Sequence, residues 1–280
     1  MHFHRPQTLE NALALIADQP ARILAGGTDF FPSLGARPVM EPVLDLGKIE
    51  ALRGISCRDD VWRIGATTTW AQIARADLPA QFDGLRAAAR EVGSIQIQNA
   101  GTIAGNLCNA SPAADGVPPL LALNAEVEIS GRAGPRVLPL SEFITGVRKV
   151  ALEPGEIVTA VLVPDHAGAR SSFLKLGARR YLVISIAMVA VTLDLDAGGA
   201  ISKAAVAVGS CSAVAARLSS VEAKLVGSKP DAAALADLFA DELFAELSPI
   251  DDVRASASYR REAARELVIR AIVAAAKGGA

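Results

Sequence analysis

Val92 to Asn124 reads VGSIQIQNAGTIAGNLCNASPAADGVPPLLALN. Its apolar residues keep neither the helical nor the strand period for long, and Gly, Asn and Ser crowd its first part. The stretch therefore reads as a loop of roughly twenty residues that enters a helix at Pro118-Pro119-Leu120. A structureless loop of that length inside a compact domain is expected to bind something. Within it, Gly101-Thr102-Ile103-Ala104-Gly105-Asn106 sets small residues round a hydroxyl and an amide, and Asn109, Ser111 and Asp115 follow closely. Glycines let backbone N–H groups approach a ligand, and successive uncovered N–H groups form an anion-binding nest. A β-branched residue at Gly101 is expected to be excluded because it cannot take a positive φ cheaply.

A second segment nearer the N-terminus looks like a partner. Ile23-Leu24-Ala25-Gly26-Gly27-Thr28-Asp29 begins as a short apolar strand and ends in a Gly-Gly turn carrying a hydroxyl and a carboxylate. Alone, it reads as a strand and turn with a helix cap at Thr28 or Asp29. Two such loops in one chain suggest a shared anionic ligand.

The 280 residues suffice for one large or two modest domains, and the 51% hydrophobic content supports a sizeable core. Charge nearly cancels, 28 basic against 30 acidic residues, so neither nucleic acid nor an anionic membrane is an expected partner. No apolar run reaches the ~18 residues of a membrane span, and MHFHRPQTLENALALIA lacks a secretory pattern. Cys57, Cys108 and Cys211 lie far apart without CxxC spacing, so neither a disulfide framework nor an iron–sulfur cluster is expected in this chain. A reducing cytoplasm fits. HExxH, GxSxG, a phosphate loop and GxGxxG after a strand are all missing, which argues against zinc hydrolysis, serine hydrolysis, P-loop NTPases and Rossmann sites. His2 and His4 share one strand face and read as solvent-facing.

In chain order, the pattern predicts a strand at 3–6, a helix from Leu9 to Asp18 capped by Thr8, and strands at 22–24 and 42–46. A strand at 62–67 precedes a helix at 70–75 capped by Thr69, and a helix at 85–92 delivers the chain into the long loop. Glu126 to Ser130 alternates like an edge strand, 140–143 and 146–150 follow it, and 157–163 is a strand closed by Pro164. The PDHAGA turn from Pro164 to Ala169 is the candidate boundary. Beyond it come strands at 171–176, 187–195 and 204–208 and helices at 214–226, 231–247 and 258–277, the last with a core-facing stripe at Ala264, Leu267, Val268, Ala271 and Ile272. This is an α+β arrangement, a small antiparallel sheet backed by helices.

The AGGTD of Ala25 to Asp29, the VGSIQIQNAGTIAGN of Val92 to Asn106 and the NASPAAD of Asn109 to Asp115 resemble the flavin-binding subunit of molybdenum hydroxylases. That family includes the carbon monoxide dehydrogenase medium subunit and the FAD domain of xanthine dehydrogenase. GVRKVALEPGEIV from Gly146 to Val158 and FLKLGARR from Phe173 to Arg180 extend the resemblance in the right order. It implies a two-part FAD-binding domain of the vanillyl-alcohol-oxidase/PCMH type over 1–166, with subdomains near 1–55 and 56–166. A C-terminal α+β domain of the CO dehydrogenase flavoprotein type would fill 167–280.

By the same resemblance, Leu24, Ala25, Gly26, Gly27, Thr28 and Asp29 wrap the FAD diphosphate from one side, and Gly101, Thr102, Gly105 and Asn106 hold it from the other. Asp115 looks like the family's acid at the ribityl or adenosine end, with Ser111 nearby. Ile157 or Val158 covers the adenine or a ring edge, and Lys175 stands where the family has a basic residue near the flavin. Ala104 departs from a frequent glycine, and Leu182 and Val183 from an acid and an aromatic residue, leaving Tyr181 as a substitute. The implied partners are a large molybdopterin subunit and a small subunit with two [2Fe-2S] clusters, with NAD, a quinone or another acceptor taking electrons from the flavin. The chain itself would supply no catalytic acid or nucleophile. Two other readings stay open from the residues alone: a self-sufficient FAD-dependent oxidoreductase with its own substrate pocket, and a flavin-free assembly subunit.

Overall fold

A computed structural model of the chain describes residues 2–239 and 241–278. It opens with β1 (Phe3–His4), α1 (Leu9–Asp18), β2 (Arg22–Leu24), α2 (Phe30–Leu34) and β3 (Val43–Asp45). The three strands form a parallel sheet in the order β1-β3-β2. Thr8 caps α1 as expected, its hydroxyl accepting from the Asn11 amide at 3.2 Å. Ala12 and Ile16 on α1 pack with Leu44, Leu46, Ile49 and Leu52 in a small core of their own.

The next stretch holds β4 (Ile55–Arg58), β5 (Val61–Gly65), α3 (Trp70–Arg75), α4 (Asp83–Glu91), α5 (Ile95–Ala100), α6 (Ile103–Asn109) and α7 (Val117–Ala122). It continues through β6 (Glu126–Gly131), β7 (Gly134–Pro139), α8 (Leu140–Phe143), β8 (Ile144–Gly146), β9 (Lys149–Val150) and β10 (Ile157–Pro164). A five-stranded antiparallel sheet has the order β4-β5-β10-β6-β7. The sequence pattern made β6 an edge, but β7 pairs with it, and the prolines at 135 and 139 sit on that true edge, where a missing N–H is tolerated. Residues 140–143 are a helical turn.

The largest correction concerns residues 92–124. They are mostly short helices rather than a loop. Ser94 accepts from the Ile97 amide at 3.4 Å and starts α5, and Thr102 accepts from the Gly105 amide at 3.2 Å and starts α6. Helices of six and seven residues are too short to show a period, and caps and tertiary contacts hold them.

The C-terminal part contains β11 (Arg170–Leu176), β12 (Ala187–Leu195), β13 (Ile201–Gly209), β14 (Ala216–Arg217), α9 (Ser219–Leu225), α10 (Ala232–Leu238) and α11 (Ala257–Lys277). The four strands pair antiparallel in sequence order. The helix expected at 214–226 starts only at Ser219, because Arg217 ties Glu222 bidentately and Glu222 also accepts from the Val206 amide, holding the preceding residues as β14. The helix expected at 231–247 is interrupted, and part of that stretch, Ala240, lies outside the described residues. The break brings the rings of Phe239 and Phe244 edge to face at 5.9 Å in the core. The stripe on α11 is core: Ala264, Val268, Ala271 and Ile272 are fully buried. No helix among the described residues is long and apolar enough to cross a membrane.

One face of this C-terminal sheet packs on α9 and α11, while the other supplies Phe173, Met188 and Ala190 to a core shared with Trp70, Leu85, Ile103 and Leu120. A buried ion pair crosses that junction. Lys175 Nζ on β11 lies 2.8 Å from Asp115 Oδ2 and donates to the Glu91 carbonyl at 3.2 Å, and Ser185 donates to Asp115 Oδ1 at 3.1 Å. Burial holds the Asp115 carboxyl above its ordinary pKa, against the opposing pull of Lys175.

Lys175→Met should cost about 3–5 kcal/mol near neutral pH, because it strands a buried carboxylate. A carboxyl whose folded pKa is raised adds stability that is complete below its unfolded pKa and is lost as pH rises through the folded pKa. The loss relative to wild type should therefore be smaller near pH 5 than near pH 8, and Lys175→Met/Asp115→Asn should recover most of it. Denaturant unfolding at both pH values checks this; an equal loss at both contradicts it.

Candidate functional site

The segment after β2 and helix α6 face each other across a cavity of about 590 Å³, within the usual size range of small-molecule sites. Ala25, Gly26, Gly27, Thr28 and Asp29 form one wall, Thr102, Gly105 and Asn106 another, and Ile157 and Val158 of β10 also border the space. The structure thus brings together eleven of the predicted site residues, Gly101 included.

The first wall is built to take an anion. Gly27 has φ +73°, a conformation that only glycine adopts cheaply. Among the described residues, the backbone N–H groups of Gly26, Gly27, Thr28 and Asp29 have no acceptor, although Phe31 and Ser33 just beyond already donate to Gly27 and Asp29 carbonyls. Backbone donors are normally paired, and consecutive free ones round a left-handed glycine make a nest. Arg22 also borders the cavity, with its guanidinium 4.6 Å from the Phe30 ring centroid. Asp29 stands at the N-cap of α2, but its side chain makes no capping bond.

The second wall corrects the expected nest at 101–106. The amides of Ile103 and Ala104 donate to Thr68 and Ala66 carbonyls, that of Gly105 to the Thr102 hydroxyl and that of Asn106 to the Thr102 carbonyl. Gly101 has φ −63°, so left-handed backbone is not why glycine stands there. The reason is proximity: a Cβ on Gly101 would meet Ile97 O at 3.0 Å and Thr28 Oγ1 at 3.3 Å, and one on Gly26 would meet Ala100 O at 2.0 Å. At Gly105 the only atom a Cβ would approach is Thr102 Oγ1 at 2.8 Å; the residue is otherwise exposed. Ala104 turns its methyl into the core. Asn106 Oδ1 is buried with no hydrogen-bond partner among the described residues, an acceptor left over beside the cavity.

Four predicted residues do not border the cavity. Leu24 is buried beneath the first wall. Ser111 accepts from the Ala113 amide at 3.3 Å. Asp115 and Lys175 pair with each other, and Lys175 is a buried strand lysine rather than a solvated one. Their ion pair nevertheless adjoins the wall, since Lys175 bonds the carbonyl of Glu91 and the next residue, Val92, borders the cavity. Tyr181 is 67% exposed and lies outside the lining. The pattern missed Arg22, Thr67, Trp70 and Cys108, all of which line the space, and it noted Asn109 in the loop without giving it a role. Arg22 had a readable signal, a cation opening the strand that runs into Gly26-Gly27. Trp70 had none, because it enters from a separate helix, where its backbone N–H donates a hydrogen bond to the Gly101 carbonyl.

An anion nest, a glycine-cleared wall and an apolar border of Trp70, Val92, Ile97, Leu152 and Ile157 fit a flavin dinucleotide. Residues 1–166 match the FAD binding domain in molybdopterin dehydrogenase, and residues 172–275 match the CO dehydrogenase flavoprotein C-terminal domain. The chain is 38% identical over 208 residues to the putative xanthine dehydrogenase FAD-binding subunit XdhB of Escherichia coli K12, covering 70% of this chain and 69% of that one. It is 31% identical to the carbon monoxide dehydrogenase medium chain of Afipia carboxidovorans, over 96% of this chain and 94% of that one. A chain of the Cu,Mo-CO dehydrogenase, in its cyanide-inactivated form, superposes with a TM-score of 0.92 at 30% identity, covering 100% of this chain and 98% of that one. The chain belongs to the family of FAD-binding subunits of the molybdenum hydroxylases.

Proposed function

We propose that this chain holds one FAD in the cavity between the Gly26–Asp29 segment and α6 and passes electrons from the iron–sulfur clusters of a partner subunit to an external acceptor such as NAD or a quinone. The free amides of Gly26 to Asp29 carry this reading. When bound, FAD supplies the one- and two-electron chemistry that no side chain here offers. The nest donates to the diphosphate, and Arg22 adds the nearest countercharge. The carboxylate of Asp29 suits a hydroxyl donor rather than a phosphate. Gly101 and Gly105 keep the second wall free of side chains, and Thr102 and Asn106 offer polar atoms there. Ile157 and Val158 cover a ring edge. Asp115 and Lys175, which the resemblance placed at the flavin, stand behind the wall, paired with each other, and brace it through the Glu91 carbonyl rather than touching the cofactor.

Residues 1–166 serve as the FAD-binding domain in this reading, in two subdomains, and 167–280 as the C-terminal domain. The partners are a molybdopterin subunit, where substrate would react, and a subunit with two [2Fe-2S] clusters; relatives bear the names of medium subunits, including that of nicotine 6-hydroxylase from Paenarthrobacter nicotinovorans. Three free thiols fit a cytoplasmic setting.

The purified chain should release one equivalent of FAD on heating or in acid, with none left on the peptide. Gly105→Val puts a branched side chain on the cavity wall and should weaken FAD binding by roughly a hundredfold or more, with a modest fall in the apoprotein melting temperature because its Cβ crowds the Thr102 cap hydroxyl. Flavin fluorescence titration measures it, and unchanged affinity contradicts the site. Mixed anaerobically with aldehydes, purines or N-heterocycles, the isolated chain should keep its flavin absorbance; adding molybdenum and iron–sulfur subunits should let substrate bleach it. Bleaching of the lone chain would favour the self-sufficient oxidoreductase.

A further inference from the structure

Asn109 closes α6 at the border of the cavity, and an arginine from a distant segment holds its side chain. Arg148 stands at the tip of the β8–β9 hairpin with φ +59°, and Ala110, just after α6, has φ +44°. Two non-glycine residues in the left-handed region meet directly, the Arg148 amide donating to the Ala110 carbonyl at 2.9 Å. Such backbone needs surrounding structure to hold it and gathers at functional sites. The Arg148 guanidinium then donates through Nη1 to the Asn109 carbonyl at 3.1 Å and to Asn109 Oδ1.

That last bond fixes the orientation of the amide. A guanidinium has only donors, so the side-chain oxygen of Asn109 must face it. Nδ2 and its two hydrogens are left without a protein acceptor among the described residues, on a residue that borders the cavity. The bond to a cation also polarises the amide and strengthens Nδ2 as a donor. We propose that Asn109, oriented by Arg148, is a further FAD-binding residue that donates Nδ2–H to an acceptor oxygen of the cofactor. Arg148 is then a positioning residue. This rests on the FAD site proposed above.

Asn109→Asp separates donation from mere support of the hairpin. It keeps, and strengthens, the contact to Arg148, but leaves no donor. At high ionic strength, where the added charge is screened, FAD affinity would hold if Asn109 only braced the hairpin; the proposal expects it to fall by about tenfold or more there too, with the apoprotein melting temperature unchanged or raised. Asn109→Leu removes the donor without adding charge and should fall similarly. Arg148→Ala should weaken binding, with partial restoration by millimolar guanidinium ion, and Arg148→Lys should restore less because it lacks the fork. Fluorescence titration of each apoprotein with FAD reads these out. If wild type binds FAD and both Asn109 variants bind within twofold of it, this inference is overturned while the FAD site stands. If wild type binds no FAD, the site itself falls.

Discussion

Gly26 packs against the carbonyl of Ala100 so closely that a single methyl group would lie 2.0 Å from the oxygen. That contact sets the spacing of the whole site. The segment after β2 leaves the three-stranded sheet that covers the small N-terminal core, whereas the turn between α5 and α6 leads into Ile103 of the larger core. They can touch backbone to backbone only where both chains lack side chains, at Gly26 and Gly101. The Gly101 carbonyl then accepts the amide of Trp70, and Thr28 lies against Gly101. A bulkier residue at either glycine would push the walls apart and remove the slot along with the contact.

The two walls divide their work. One leaves its backbone donors free and so carries binding potential for an anion. The other spends its donors on its own helix start and on the Ala66 and Thr68 carbonyls, and so carries rigidity. A free amide nest is costly for a chain to maintain without a ligand, whereas a fully bonded helix start is not. The Asp115–Lys175 pair then fixes the C-terminal sheet against the end of α4, one residue from the cavity wall. Arg148 does the same from the β8–β9 hairpin at the far end of α6. The site is thus assembled by contacts between distant segments rather than by any one motif.

This explains what the sequence could and could not disclose. Thr8, Thr69 and the long strand at 187–195 announce themselves through caps and period, and the α11 stripe through its spacing. The glycine-rich motifs announce a ligand. Which loop keeps its amides free is invisible in composition, because both are rich in Gly and Thr. That distinction depends on whether Ala66 and Thr68 come within reach, which is tertiary. Lys175 looks like any strand lysine until the fold buries it against Asp115. Trp70 belongs to an element with no sequence proximity to the site, and Arg148, though inside the GVRKVALEPGEIV motif, shows its contact with Asn109 only in the fold.

Hydrogen exchange of the backbone amides, with and without FAD, examines this division of labour directly. Saturation with FAD should slow exchange strongly at Gly26, Gly27, Thr28 and Asp29, where no internal acceptor competes. The amides of Ile103, Ala104 and Gly105, already bonded within the protein, should change little. New protection confined to 103–105, with residues 26–29 left exchanging freely, would contradict the account.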